Sequence, residues 1–332
     1  MELTYLQNNK EKYIHVFSCC IPVKGHERGA IYDLQREDIE FVPNTMIDFL
    51  DYIKNKKLNS VLKEFEADEM VLTYLDFLEK NEFIFYSDKE FFPELSAQSI
   101  NEDTSAIQFV TITHSNLIKD NWNQVVKNVN ELGVKRLHVH INDPDCIEEI
   151  NHILYSLDYS RVTNISFSMP YQKVDKKLYK NNRLKTVYLF NSPKAKVTVN
   201  NEVTSVFITA GDDKIFLPKF SINTVDINMT AYNIARNYNL SLYKTVFVDE
   251  YGNIKFNITD TLSYGNITNS FEEITRKTIP ELAKVWNIKK EHIAPCNICE
   301  FRLCCTVVQV PFKTENGYVM KCNYDPHNAE LN

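Results

Sequence analysis

Five of the eight cysteines of this chain crowd its far end, at Cys296, Cys299, Cys304, Cys305 and Cys322. Thiolates are soft ligands, suited to zinc or to an iron–sulfur cluster. Cys296-Asn297-Ile298-Cys299 is a C-x-x-C pair, a spacing that lets two sulfurs point from one tight turn at a shared metal. Two further ligands close a four-coordinate site, and Cys305 and Cys322 supply them here. Cys304 and Cys305 are neighbours, and only one of an adjacent pair fits a regular geometry. Cys304 and His292 therefore stand in reserve. The expectation is one thiolate-bound metal centre, a 4Fe-4S cluster or zinc. The plainer alternative is a set of packed, inert thiols, since free cysteine is among the most buried residue types. A thioredoxin-type dithiol is disfavoured, because this C-x-x-C does not follow the first strand of a βαβ unit.

Other reactive residues carry less. His138 and His140 share a strand face ahead of Asp143, and a packed pair is preferred to a metal or acid–base couple. Cys19-Cys20 reads as one buried and one surface thiol, and Glu148-Glu149 as a solvated helix face. No phosphate-binding G-x-x-x-x-G-K-[ST], serine-hydrolase G-x-S-x-G or zinc-protease H-E-x-x-H occurs.

The elements that must position these residues divide the chain at about 88 and 240. In the first unit, residues 13–20, 30–34 and 39–42 read as strands around a Lys24-to-Gly29 turn. Met46, Phe49, Leu50 and Ile53 recur at helical spacing, as do Leu58, Val61, Leu62 and Phe65, and then Val71, Tyr74, Leu75 and Leu78. A strand at 83–86 completes a small winged-helix-like module. From 89 to 240 strands alternate with helices: strands at 106–112, 136–141, 164–169, 184–190 and 205–209, helices at 121–132 and 145–157. That pattern implies parallel βα units. Five strands are too few for a closed eight-stranded barrel, so an open partial barrel is expected. Residues 241–332 hold a hairpin around Gly252, a helix at 270–285 and the cysteine-rich segment. Residues 89–104 read as a linker. The fold class is α/β throughout.

With 37 basic and 44 acidic side chains the net charge is −7, so no basic face is offered to a nucleic-acid backbone. No apolar run approaches the roughly 18 residues of a membrane helix, and the first residues have no signal-peptide core. A cytoplasmic chain is expected, in which clustered cysteines mean metal more often than disulfides.

The stretch from Trp286 through Cys296-Asn297-Ile298-Cys299-Glu300-Phe301-Arg302 to Lys321-Cys322-Asn323-Tyr324-Asp325-Pro326 resembles the C-terminal SPASM domain of peptide-maturation proteins. In particular it is similar to the SPASM-containing maturase of grasp-with-spasm systems, which occurs beside an ATP-grasp ligase and a small precursor peptide. Cys20-Ile21-Pro22-Val23-Lys24-Gly25, Tyr32-Asp33-Leu34-Gln35-Arg36, Val42-Pro43 and Asp249-Glu250-Tyr251-Gly252-Asn253-Ile254-Lys255 carry the same resemblance. It implies a precursor-recognition module at 1–88, a degenerate radical SAM barrel at 89–240 and a SPASM-like metal-binding domain at 241–332. The chain departs from the family pattern in three places. Val308 and Gln309 stand where a further cysteine is usual, and Phe256-Asn257 where another often lies. After the first barrel strand comes Thr113-His114-Ser115-Asn116, with no C-x-x-x-C-x-x-C triplet. The resemblance thus implies at most one cluster and no S-adenosylmethionine.

It also implies that a leader peptide adds as a strand along Asp38, Ile39, Glu40, Phe41 and Val42, over a floor that includes Tyr74 and Leu78. The function expected is leader binding and scaffolding for an ATP-grasp ligase. The alternatives are a metal-dependent peptide-modifying enzyme and a metal-stabilised interaction protein. Expected partners are the precursor peptide and the ligase, with no nucleic acid and no membrane.

Overall fold

A computed structural model describes residues 4–95, 104–143, 147–172, 177–211 and 219–332. Cys146, the first residues of the expected 145–157 helix and much of the expected linker lie outside the described residues.

After a short helix, α1 (Thr4–Asn9), the apolar run at 13–20 forms two strands rather than one. β1 (Tyr13–Val16) pairs with β5 (Ile84–Ser87). A turn closed by Cys20 N–H donating to Phe17 O at 2.8 Å then starts β2 (Cys20–Lys24). β3 (Gly29–Asp33) and β4 (Asp38–Val42) complete an antiparallel sheet with β4 at one edge. Helices α2 (Asn44–Ile53), α3 (Leu58–Glu64) and α4 (Glu69–Lys80) follow. Met46, Phe49, Leu50 and Ile53 fall on one side of α2 and are buried, as the 3.6-residue period requires. Ile31 and Val42 face this helical core. Val23, Ala30, Tyr32 and Leu34 alternate to the opposite face and are buried too, against Phe301, Cys304, Cys305 and Tyr324. The small sheet is therefore covered twice, by its own helices and by the cysteine-rich segment.

The parallel strands are β6 (Phe109–Thr113), β7 (Arg136–His140), β8 (Asn164–Pro170), β9 (Leu184–Phe190), β11 (Val203–Phe207) and β12 (Thr245–Val248). With β10 (Lys196–Asn200), β13 (Asn253–Lys255) and β14 (Gly265–Asn266) they form one nine-stranded sheet, ordered β10-β11-β9-β8-β7-β6-β12-β13-β14. The first arm of the hairpin expected in the third unit is the sixth parallel strand, so this sheet runs past residue 240. Val246 and Val248 are buried beside β6, which places that strand in the hydrophobic core of the sheet. α6 (Trp122–Glu131), preceded by α5 (Asn116–Asp120), and α7 (Ile147–Ser156) cover the sheet through Trp122, Val125, Val129, Ile150 and Ile153. α8 (Met229–Asn237) precedes β12.

The final helix runs as α9 (Phe271–Glu273), a π turn at Ile274–Thr278 and α10 (Ile279–Trp286). Pro280 explains the widened turn, because it lacks an N–H and its ring crowds the carbonyl one turn back. Beyond it lie only 3-10 turns and strands of two or three residues, β15 (Ile293–Ala294) to β19 (Glu330–Leu331). Among the described residues no helix is long and apolar enough to cross a membrane.

Candidate metal centre and peptide edge

Cys296 opens a 3-10 turn, Cys296–Ile298, and Cys299 N–H closes it on Cys296 O at 3.0 Å. Cys299 Sγ accepts the N–H of Phe301, and Cys322 Sγ accepts that of Tyr324, each at 3.4 Å. Amides aimed at a sulfur two residues back favour its charged form, as a metal ligand requires. The neighbours Cys304 and Cys305 turn opposite ways. Cys304 Sγ donates to Phe301 O at 3.5 Å, while Cys305 Sγ accepts Lys290 Nζ at 3.0 Å. Lys290 is buried, and its ammonium also donates to Cys305 O at 2.8 Å. It lies within electrostatic reach of Cys296, Cys299 and Cys322 as well. An ammonium so enclosed favours a negative partner, which the surrounding thiols become on binding a metal.

Burial pushes the thiols of Cys296 and Cys304 up to about 12, and raises Cys299 and Cys322 too. Without a metal these groups hold their protons. A tetrahedral zinc site with 2.3 Å bonds sets its sulfurs about 3.8 Å apart. Among the described residues no three of these thiols lie within 4.8 Å of one another, so the frame is wider than a preformed zinc site. His292, the reserve ligand, has a side chain 61 % exposed and faces Glu291 at 3.6 Å.

The segment between Cys299 and Cys304 is bolted to the N-terminal sheet. Glu300, 1 % exposed, takes Arg28 Nε at 2.9 Å and the Tyr324 hydroxyl on one carboxylate oxygen, and the Tyr32 hydroxyl donates to its backbone carbonyl. His26 N–H donates to Ile298 O at 2.8 Å, and Arg302 Nη1 donates to Lys24 O at 2.8 Å. Gly25 sits so close that an added Cβ would stand 3.1 Å from Glu300 Cβ and 2.3 Å from Arg28 O.

β4 lies beside this junction. Pro22 pairs across from Ile31 and has no N–H to give β3, so Ile31 turns its own N–H and C=O toward Glu40. The amides of Ile39 and Phe41 then point outward, and that of Glu40 inward. Pro22 leaves the β2 edge without a donor at its centre. Phe41 is 37 % exposed, with the Arg28 guanidinium 3.7 Å above its ring and Phe301 at 5.6 Å between ring centroids. Of the expected floor, Leu78 is fully buried in the module's own core and offers no surface. Tyr74 is half-buried, bonds Thr45 Oγ1 through its hydroxyl at 2.7 Å, and lines an apolar groove of about 560 Å³ with Phe49, Tyr52, Phe65 and Val71.

His138 and His140 are buried and bonded along β8. His138 reaches Ser166 Oγ at 2.7 Å and Ser168 Oγ at 2.9 Å, and His140 reaches Ser168 Oγ at 2.7 Å. Burial, with His140 alongside, lowers the His138 ring to about 3. A base whose folded pKa lies below its unfolded value near 6.5 lets the unfolded chain bind the extra proton between those values. His138 therefore costs stability progressively as pH falls from about 6.5 toward 3. Its imidazole NMR shifts are expected to stay those of the neutral ring at pH 5; a midpoint near 6.5 would refute this. Glu149 is not solvated: its carboxylate takes Lys119 Nζ at 2.7 Å and lies 3.3 Å from His114 Nε2, at the end of β6.

The sequence pattern did not bring out a third cluster. Cys19 Sγ, Cys20 Sγ and an Asp33 oxygen lie within 4.8 Å of one another. Adjacent thiols were read as split between core and surface, and only the β2–β3 register places Asp33 opposite Cys20.

No family model matches the chain, and no curated protein matches it. Three crystal structures of Streptococcus suis SuiB are similar, each covering 88% of this chain and 94% of SuiB with a TM-score of 0.37. One is bound to S-adenosylmethionine (10% identity), one is bound to the precursor peptide SuiA (9%), and the third shares 8% identity. Overlap this low leaves the reading to this chain's own residues. One expectation is nevertheless corrected. The expectation of no S-adenosylmethionine is not upheld, since one of these similar structures is bound to it.

Proposed function

We propose that this chain holds an extended peptide along β4 and modifies it with the help of a metal centre bound by Cys296, Cys299, Cys305 and Cys322, within a peptide-maturation system. The contact of Phe41 with Phe301 carries this reading, because it sets the strand edge against the loop that joins Cys299 to Cys305. A peptide added to β4 gains a main-chain bond from Phe41, and one from Ile39 once Asp38 Oδ1 releases that amide, which it accepts at 2.8 Å. The four thiols suit a 4Fe-4S cluster or zinc. Bound there, such a centre supplies electron transfer or Lewis acidity; the chain itself supplies thiolates, the amides of Phe301 and Tyr324, and the Lys290 charge.

A second reading, a scaffold for an ATP-grasp ligase, draws on the Thr113-His114-Ser115-Asn116 loop, where the cluster-binding triplet of the resembled family is missing. Mass spectrometry of the precursor separates the two. A mass change with metal-loaded protein and a reductant alone supports the first, and a change only with ligase and ATP supports the second.

Strand addition has its own test in the full chain. Phe41→Pro removes an outward N–H and is expected to weaken precursor binding about tenfold, roughly one hydrogen bond's worth. Phe41→Val keeps that amide and should bind more tightly than Phe41→Pro. Equal affinities for the two variants would rule out the β4 edge. Glu40→Pro is unsuitable, because it breaks the β3–β4 ladder.

A further inference from the structure

We propose that Cys19, Cys20 and Asp33 form a second metal site, for a borderline-soft divalent cation such as zinc, at the turn between β1 and β2. This site is independent of the C-terminal thiols and of the peptide-modifying function inferred above.

Three features of the backbone assemble it. The Phe17–Cys20 turn brings adjacent cysteines round, where an extended strand would send their side chains to opposite faces. Cys20 and Asp33 are direct cross-strand partners, so their side chains leave the sheet on the same face. Leu34 N–H donating to Cys19 O at 3.0 Å pins the turn to the end of β3. The result contrasts with Cys304 and Cys305, whose sulfurs face apart.

The donor set has the makings of a zinc shell. Zinc–sulfur bonds of about 2.3 Å and zinc–oxygen bonds of about 2.0–2.2 Å separate tetrahedral ligands by about 3.5–3.8 Å. The present group, within 4.8 Å, needs to close by about 1 Å or less to reach that spacing. Two sulfurs and one carboxylate exclude calcium and magnesium, which require oxygen shells. The side-chain oxygen of Gln35, Oε1, lies 3.9 Å from Cys19 Sγ and can offer a fourth ligand.

An outer shell is in place as well. Asp33 Oδ1 accepts the N–H groups of Gln35 and Arg36, each at 2.9 Å, and Oδ2 accepts Arg36 Nη1 at 2.9 Å. These bonds fix the carboxylate's orientation, as second-shell partners do at metal sites. Arg36 is half exposed and its guanidinium also reaches Glu82, so it can leave Oδ2 when a cation arrives. Asp33 and Cys20 are 4 % and 3 % exposed, while Cys19 reaches the surface and gives the ion a way in. Once bound, the cation ties the β1–β2 turn to the strand that supports the peptide edge.

Cobalt(II) titration of the reduced full chain, with its resident metal first quantified, tests the site through the thiolate-to-cobalt absorption band. Wild type is expected to take up one equivalent that Cys19→Ser and Asp33→Asn bind at least tenfold more weakly, with Cys304→Ser behaving as wild type. Asp33→Asn keeps an acceptor for the Gln35 and Arg36 amides, and near-ultraviolet circular dichroism checks that each variant is folded. Uptake by both variants equal to wild type overturns the proposal, as does a wild type without the band. Loss of that equivalent in Cys322→Ser but not in Cys19→Ser assigns the ion to the C-terminal thiols instead.

Discussion

Replacing Cys299 by serine is expected to abolish metal binding at the C-terminus and to unfold the residues from Cys296 onward. Structural thiolate centres contribute on the order of 10 kcal/mol to the folding of the residues around them. Apart from the side chains that pack on the N-terminal sheet, Phe301, Val307 and Tyr324 among them, the segment has little else to hold it. The segment's regular structure is limited to strands of two or three residues and 3-10 turns, and its own apolar cluster is Ile293, Cys296 and Met320 with Ile288 and Tyr318 beside it. So small a core cannot offset its chain entropy alone. Cys322→Ser should behave like Cys299→Ser. Cys305→Ser should cost more than Cys304→Ser, since Cys305 Sγ faces the Lys290 ammonium and Cys304 Sγ faces a carbonyl. Limited proteolysis and metal analysis of anaerobically purified protein read both effects. Hydrogen exchange should also rise in β3, whose Ala30 and Tyr32 lose their cover, while Val110 and Val139 in the parallel sheet stay protected. Metal content in Cys299→Ser equal to that in wild type, with an ordered tail, would show the thiols to be packing residues.

What could be read from the sequence was what local periodicity records. The helical stripes of α2, α3 and α4 and the alternation of strands with helices from β6 to β8 came through, because each is written within a dozen residues, whereas β10 (Lys196–Asn200) did not. The split of residues 13–20 did not, since a continuous apolar run carries no mark of the turn at Ser18-Cys19. The placement of β12 beside β6 was also hidden, because that pairing joins residues far apart in the chain. The C-x-x-C was legible as a motif, whereas the buried Lys290 among the thiols was not, since a lone lysine reads as surface. The choice between Cys304 and Cys305 rested on geometry, and their opposite directions depend on contacts with Tyr32 and Lys290 that no spacing encodes. The burial of the second face of the N-terminal sheet was equally hidden, because Phe301 and Tyr324, which cover it, lie far off in the chain.

Glu300→Ala is expected to destabilise this junction by about 3 kcal/mol, the low end for breaking a buried ion pair, because Arg28 is one-third exposed and recovers some water. The loss has two parts. Arg28 keeps its charge over Phe41 without a carboxylate, and the Tyr324 hydroxyl is left in an apolar cluster without its acceptor. Tyr32 is spared, since it bonds the backbone carbonyl, which alanine retains. Glu300→Gln preserves an acceptor for Tyr324 and should cost about 1 kcal/mol. Tyr324 supplies a second readout. Burial and then the adjoining carboxylate raise its phenol well above the ordinary range, so removing Glu300 should lower its alkaline titration while burial still holds it above that range. Urea unfolding of the single variants and of Arg28→Met with Glu300→Ala completes a double-mutant cycle. A favourable coupling above about 1 kcal/mol is the expected result for a pair buried on one side. Because Glu300 separates Cys299 from Phe301, its loss should also loosen the thiol frame, with C-terminal metal leaving faster under chelator than from wild type. A Glu300→Ala protein within about 0.5 kcal/mol of wild type, releasing metal at the same rate, would mean that the N-terminal sheet and the cysteine module are held together by Phe301 and its apolar neighbours instead.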